Sequence, residues 1–97
     1  MKLRFTRRAT ENLTDIAGYL HARNPNAARN VRDSIYESLQ KLILFPHIGR
    51  AQKTEGIRKL ITRRYAYIIY YTVHEPAEEI VILNVKHPAQ EREYSDI

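Results

Sequence analysis

The dipeptide Asn24-Pro25 divides two stretches of helical periodicity, and this break limits the architecture more than any other feature of the chain. Proline disfavours the helical region for the residue before it, yet it suits the first position of a new helix, where its missing N–H would have no partner. One helix therefore stops by Asn24 and another starts at Pro25. Ahead of the break, Leu13, Ile16, Ala17 and Leu20 recur at three- and four-residue steps, the spacing of one helix face. Thr10 is expected to cap this helix, with Glu11 and Asp15 near its positive end. Behind the break, Ala28, Val31, Ile35, Leu39, Leu42 and Ile43 form a second apolar stripe, predicting a helix from about residue 25 to 44, roughly 30 Å long. Pro46 ends it. The link from Arg23 to Pro25 is so short that the two helices must form an antiparallel hairpin.

The rest of the chain reads as strands. Lys2 to Thr6 alternates polar with apolar, turning Leu3 and Phe5 inward. His47 to Arg50 is a turn, and the stretch up to Gly56 is polar enough for a loop. Ile57 to Arg64 and Ala66 to Val73 then form adjacent strands of a meander. Tyr67, Ile69, Tyr71 and Val73 share one face of the second, with Ile68, Tyr70 and Thr72 on the other. Glu75 to Glu78 is a turn, and Ile80 to Lys86 is the last strand, in which Val81, Leu83 and Val85 alternate with Ile80, Ile82 and Asn84. The tail from Ala89 to Ile97 is acidic, a helical turn or a frayed end. The expected fold is α+β: an N-terminal strand, an antiparallel helical hairpin, then a three-stranded antiparallel meander, with the hairpin on one face of a small sheet. The opposite face is expected to stay open, carrying Tyr side chains with Arg around its rim, as a docking surface.

Ninety-seven residues with 43% hydrophobic and 28% charged side chains suit one domain spanning 1–97. The charged N-terminus does not resemble a secretory signal, no apolar run approaches a membrane span, and there is no cysteine. These features give a cytoplasmic protein without membrane contact as the expectation. The net charge is +5 and it is concentrated in the middle. Residues 50–74 carry six cations against one carboxylate, and residues 75–97 carry two against six. Four of the cations, Arg58, Lys59, Arg63 and Arg64, fall within seven residues and repel one another unless something anionic answers them. The four histidines lack ligand spacing, so no metal and no cofactor are expected.

Several short motifs follow one another in a fixed order. The run from Leu42 through Phe45-Pro46-His47-Ile48-Gly49-Arg50 comes first, followed by Gly56-Ile57-Arg58, then Tyr65 to Tyr71, and finally Ile80 to Gln90. In this order the chain resembles the ParE/RelE toxin superfamily of bacterial type II toxin-antitoxin modules, most closely the ParE, or plasmid stabilisation, branch. The resemblance runs from Leu3 to about Gln90, and the long second helix favours that branch. It implies a toxin that inhibits DNA gyrase by binding, without catalysis, and that is silenced by a cognate antitoxin in a toxin-antitoxin hetero-oligomer. Arg50, Arg58, Arg63, Arg64 and His87 are then the partner-binding candidates.

The alternative is a RelE-like, ribosome-dependent mRNA endonuclease, whose partners are the ribosome and messenger RNA. Cutting RNA through its 2′-hydroxyl needs a proton carrier and cations on the phosphate, parts that His87 with Arg58, Arg63 and Arg64 would supply. RelE-like nucleases place an Arg on the late strand and a Tyr near the chain end. Here Lys86-His87-Pro88 stands in that place, and Tyr94 lies further into an acidic tail. Each candidate also has a plain structural reading. His87 can cap the last strand, Gly49 can permit a turn, and Tyr67 and Tyr71 can be sheet packing. Whether the protein is an enzyme stays open on the residues alone.

Overall fold

The computed structural model describes residues 1–89; the acidic tail beyond them, with Tyr94, lies outside the described residues. The elements are β1 (Lys2–Phe5), α1 (Arg7–Arg23), α2 (Pro25–Leu44), β2 (Arg50–Ala51), β3 (Arg58–Ile61), β4 (Ile68–His74) and β5 (Glu79–Lys86). They form one sheet in the order β1-β5-β4-β3-β2. β1 runs parallel to β5, and every other pair is antiparallel. The helical hairpin, the meander and the N-terminal strand stand as the sequence predicts. The two-residue β2 is an addition, falling where a turn and loop were expected.

Asn24 serves both helices. Its backbone N–H donates to the Leu20 carbonyl at 2.7 Å, closing α1, while its side-chain oxygen accepts from the N–H groups of Asn26 and Ala27, opening α2. With Pro25 at the first position of α2, the connection needs no further residue. The start of α1 differs from expectation: the cap is Thr6, not Thr10. β1 ends at Phe5, so the chain turns there. The Thr6 hydroxyl then accepts from Ala9 N–H at 3.1 Å and donates to the Leu83 carbonyl at 3.0 Å. Thr10 sits within the helix, and its carbonyl accepts from the Thr14 hydroxyl.

That second bond of Thr6 lands on an irregularity in the sheet. Tyr70 pairs with Asn84 but Tyr71 pairs with Ile82, so Leu83 is an extra residue on β5, a bulge that shifts the alternation by one. Ile80, Ile82 and Val85 consequently join the core beneath the helices, and the simple alternation of Val81, Leu83 and Val85 does not hold. Asn12 on α1 accepts from Val85 N–H at 3.0 Å. The first helix therefore stitches the bulge on both sides.

The core lies between hairpin and sheet. Ala9 of α1 and Val31, Ile35, Leu39 and Leu42 of α2 meet Tyr67, Ile69 and Tyr71, with Leu3 and Val73 packed at the margin. Phe5 sits at the edge and is 37% exposed. The reverse face of the sheet departs from expectation at its centre, where Ile68, Tyr70, Val81 and Asn84 are all buried, while Thr72 on the same face is partly accessible.

β3 is shorter than expected because the chain turns back through Tyr65 and Ala66, both with left-handed backbones (φ 69 and 53). Two consecutive non-glycine residues in this region are strained. Thr62 compensates. It is 2% exposed, and its hydroxyl donates to Arg64 O at 2.6 Å and accepts from Tyr67 N–H at 2.9 Å. Ser34 of α2 donates to the same Arg64 carbonyl at 2.9 Å.

Two outcomes are expected. Ala66→Gly relieves the left-handed strain and stabilises the protein by about 1 kcal/mol, measured as a rise in the urea midpoint at constant slope. The second concerns alkali. Burial pushes both the Tyr67 and the Tyr71 phenols above their ordinary value of 10.0. The unfolded chain thus ionises first, and these groups contribute stability that is complete below pH 10 and is lost as pH rises through the folded values. The urea midpoint should hold steady up to about pH 9 and fall by about pH 11, with a shallower fall in Tyr67→Phe.

Candidate protein-binding site

α1 keeps only Ala9 fully buried, so much of its apolar stripe lies against α2 without being sealed by the sheet. Leu13, Ile16, Leu20, Val31, Ile35 and Leu39 line an open cleft of about 380 Å³ along the hairpin, with Arg32 and Tyr36 beside them. Tyr36 is 63% exposed. Such a cleft suits the apolar face of an amphipathic segment, with the guanidinium and the phenol offering polar contacts to its edge. The sequence stripes contain these residues, and the resemblance implies an antitoxin wrapped along the groove between the two helices. Tyr36, apolar-bodied yet off the stripe, was the available signal.

The cations of the central stretch do not form one patch. Residues opposite each other on antiparallel strands share a face. Arg58 opposes Tyr71 and so lies on the helix side, whereas Lys59 opposes both Tyr70 and Arg50 and lies with Arg50 on the reverse side. Arg50 is exposed at the rim. Arg58 is committed internally: its Nη1 donates to the carbonyls of Gly49 at 2.7 Å and His47 at 3.2 Å. Arg63 and Arg64 belong to neither face and project from the β3–β4 turn, where the Arg64 guanidinium lies 5.2 Å from the Tyr65 ring centroid.

His87 follows β5 at the same end of the sheet as that turn, since Lys86 pairs with Ile68. Its ring meets Tyr67 edge-on at 5.4 Å. Its Nδ1 accepts from Ala89 N–H at 3.1 Å, which places the proton of the neutral ring on Nε2. Asp15, Ile16, Tyr19 and Leu20 of α1 complete a cleft of about 410 Å³ around Tyr67 and His87. Arg23 stacks on the Tyr19 ring at 3.7 Å. Burial, and then the Tyr19 phenol, hold the Tyr67 phenol above its ordinary value. Arg63, Arg64 and His87 therefore come to one end of the sheet. Arg58 does not, because β3 separates it from the turn by about 10 Å.

The loop between α2 and β2 is held from several sides. The Tyr71 hydroxyl donates to Pro46 O at 2.8 Å and accepts from Gly49 N–H at 2.8 Å. His47 Nε2 lies 2.9 Å from Glu75 Oε1, beyond the end of β4. Gly49 is required by this closeness, since a Cβ there would stand 2.6 Å from the Tyr71 hydroxyl oxygen.

Among the described residues no helix is long and apolar enough to cross a membrane, and no group of three or more His, Cys, Asp or Glu side chains could hold a metal ion.

Comparison with known proteins fits this architecture. A protein of Sinorhizobium fredii named for a toxin, Y4kP, is 30% identical over 90 residues, covering 93% of this chain and 91% of its own. A chain from the chromosomal ParDE system of P. aeruginosa superposes with a TM-score of 0.75 at 26% identity, over 90% of this chain and 95% of that one. The E. coli RelBE toxin-antitoxin complex shares the fold at a TM-score of 0.70 and 18% identity, over 94% and 98% of the two chains. The family model for the ParE toxin of the type II parDE toxin-antitoxin system matches residues 3–92. On that match, and with a relative of this identity along nearly its whole length, the chain belongs to the ParE toxin family of type II toxin-antitoxin systems.

Proposed function

We propose that this toxin acts by binding rather than by catalysis, with DNA gyrase as its target, and that a cognate antitoxin silences it in a hetero-oligomer. The observation that carries the reading is the position of Arg58. Its guanidinium is held on two backbone carbonyls beside the α2–β2 loop, at the opposite end of β3 from His87 and the Arg63-Arg64 turn. The cations that would have to converge on a scissile phosphate are thus distributed, and phosphoryl chemistry depends on such convergence. Binding to a macromolecular surface does not.

The open hairpin cleft supports an antitoxin that lays an amphipathic segment along α1 and α2. Carboxylates of that segment would meet Arg32 and, further along the fold, Arg50, Arg63 and Arg64. The origin of the P. aeruginosa relative in a toxin-antitoxin system agrees with a two-component assembly.

One observation favours the second reading, a ribosome-dependent mRNA endonuclease: Arg63, Arg64 and His87 do share one end of the sheet. The two readings separate cleanly. Purified gyrase titrated with this protein should lose supercoiling activity. Unchanged supercoiling at micromolar excess removes the leading reading. Primer extension on messages after induction should show no codon-phased cuts. Cuts that vanish in His87→Ala would establish the enzyme instead.

A further inference from the structure

The α2–β2 corner combines exposure with fixation in a way the hairpin cleft and the basic turn do not. Leu44, Phe45 and Ile48 are 72%, 60% and 49% exposed. Three large apolar side chains thus stand in solvent within five residues. The backbone that carries them is tied down at almost every step. Phe45 N–H closes the helix on Lys41 O, and Ile48 N–H donates back to Phe45 O. Pro46 O and Gly49 N–H share the Tyr71 hydroxyl, Arg58 takes the carbonyls of His47 and Gly49, and the His47 ring is held by Glu75. A buried phenol and an arginine fix a loop whose largest side chains add little to the core.

A connection that only reversed the chain would carry polar turn residues. Apolar side chains held rigid in water cost little further entropy when a partner covers them, which is the property of a binding anchor. The surrounding charge indicates the partner's chemistry. Lys41 lies one turn before Leu44 and Phe45 along α2, and Arg50 and Lys53 follow Ile48 closely in the chain, while Glu37 and Glu55 stand at the outer limits of that stretch and Glu75 lies against the His47 ring. A complementary surface is an apolar pocket rimmed by carboxylates, which a protein offers and a nucleic acid does not. The corner also starts beyond Leu39, where the lining of the hairpin cleft ends.

We infer that Leu44, Phe45 and Ile48 form a preorganised ledge that seats in an apolar, acid-rimmed pocket of the protein this toxin inhibits. The inference rests on the binding mode of action proposed above and adds to it the surface that meets the target, separate from the cleft assigned to the antitoxin.

The test uses the full chain with Phe45→Ala/Ile48→Ala, induced with and without the antitoxin co-expressed from the same operon. Because Phe45 is 60% and Ile48 49% exposed, the melting temperature should fall by no more than about 5 °C. Growth inhibition without antitoxin should weaken by about tenfold or more, as for loss of a central anchor, while the antitoxin's affinity for the purified variant stays within about twofold of wild type. Phe45→Leu, which keeps an apolar anchor, should restore most of the inhibition, and Lys41→Glu should weaken it. Full inhibition by the double variant overturns the inference. So does a matching loss of antitoxin affinity, which would assign the ledge to the antitoxin. Should the double variant fold poorly, Ile48→Lys alone carries the same reading. A wild-type chain without effect on growth would instead remove the underlying functional reading, an outcome visible before any variant is compared.

Discussion

The Tyr71 hydroxyl joins the two layers of the molecule at the point where the helical hairpin becomes sheet. It is fully buried and satisfied on both sides, donating to Pro46 and accepting from Gly49. The geometry tolerates no substitute for glycine at position 49 without displacing that oxygen. Arg58, directly across the ladder from Tyr71, adds donations of its own to the carbonyls of His47 and Gly49. The end of α2, the edge strand β2 and the central strand β4 thus take their mutual positions from one phenol and one guanidinium. A buried polar group of this kind is stabilising only while all its partners are in place, which makes the corner cooperative.

Most of the fold is legible in the sequence because its signals are local. Asn24-Pro25 ends and restarts a helix within two residues, and the stripe from Ala28 to Ile43 fixes the face that α2 turns inward. The discrepancies arise where tertiary bonds override a local preference. Thr6 displaces Thr10 as cap because it also reaches Leu83 on a strand far along the chain. The bulge at Leu83 is invisible to a period of two, and it exchanges the faces of Asn84 and Val85. The Tyr65-Ala66 turn contains no glycine, so nothing local announces a left-handed pair that Thr62 and Ser34 hold from outside.

The site is less legible than the fold, for a physical reason. Charge along a sequence does not indicate which way a side chain faces, and a strand sends neighbouring residues to opposite sides. Arg58 and Lys59 are adjacent in the chain and lie on opposite faces of the sheet. The repulsion that made the cation-rich stretch look like one anion-binding strip is relieved by that separation and by the ties on Arg58. Leu44 and Phe45 directly follow the helical stripe and Ile48 falls in the turn after Pro46, so nothing local separates an exposed apolar side chain there from a buried one.

The parallel pairing of β1 with β5 sets a condition on synthesis. Residues 2–5 find their partners only at residues 79–82, and Thr6 waits for Leu83 in the same way. During translation the hairpin can form early, from contacts close along the chain, but the sheet cannot be closed until its last strand has left the ribosome. A nascent chain therefore lacks the finished sheet until residues 79–83 have emerged, although the hairpin cleft can already be in place.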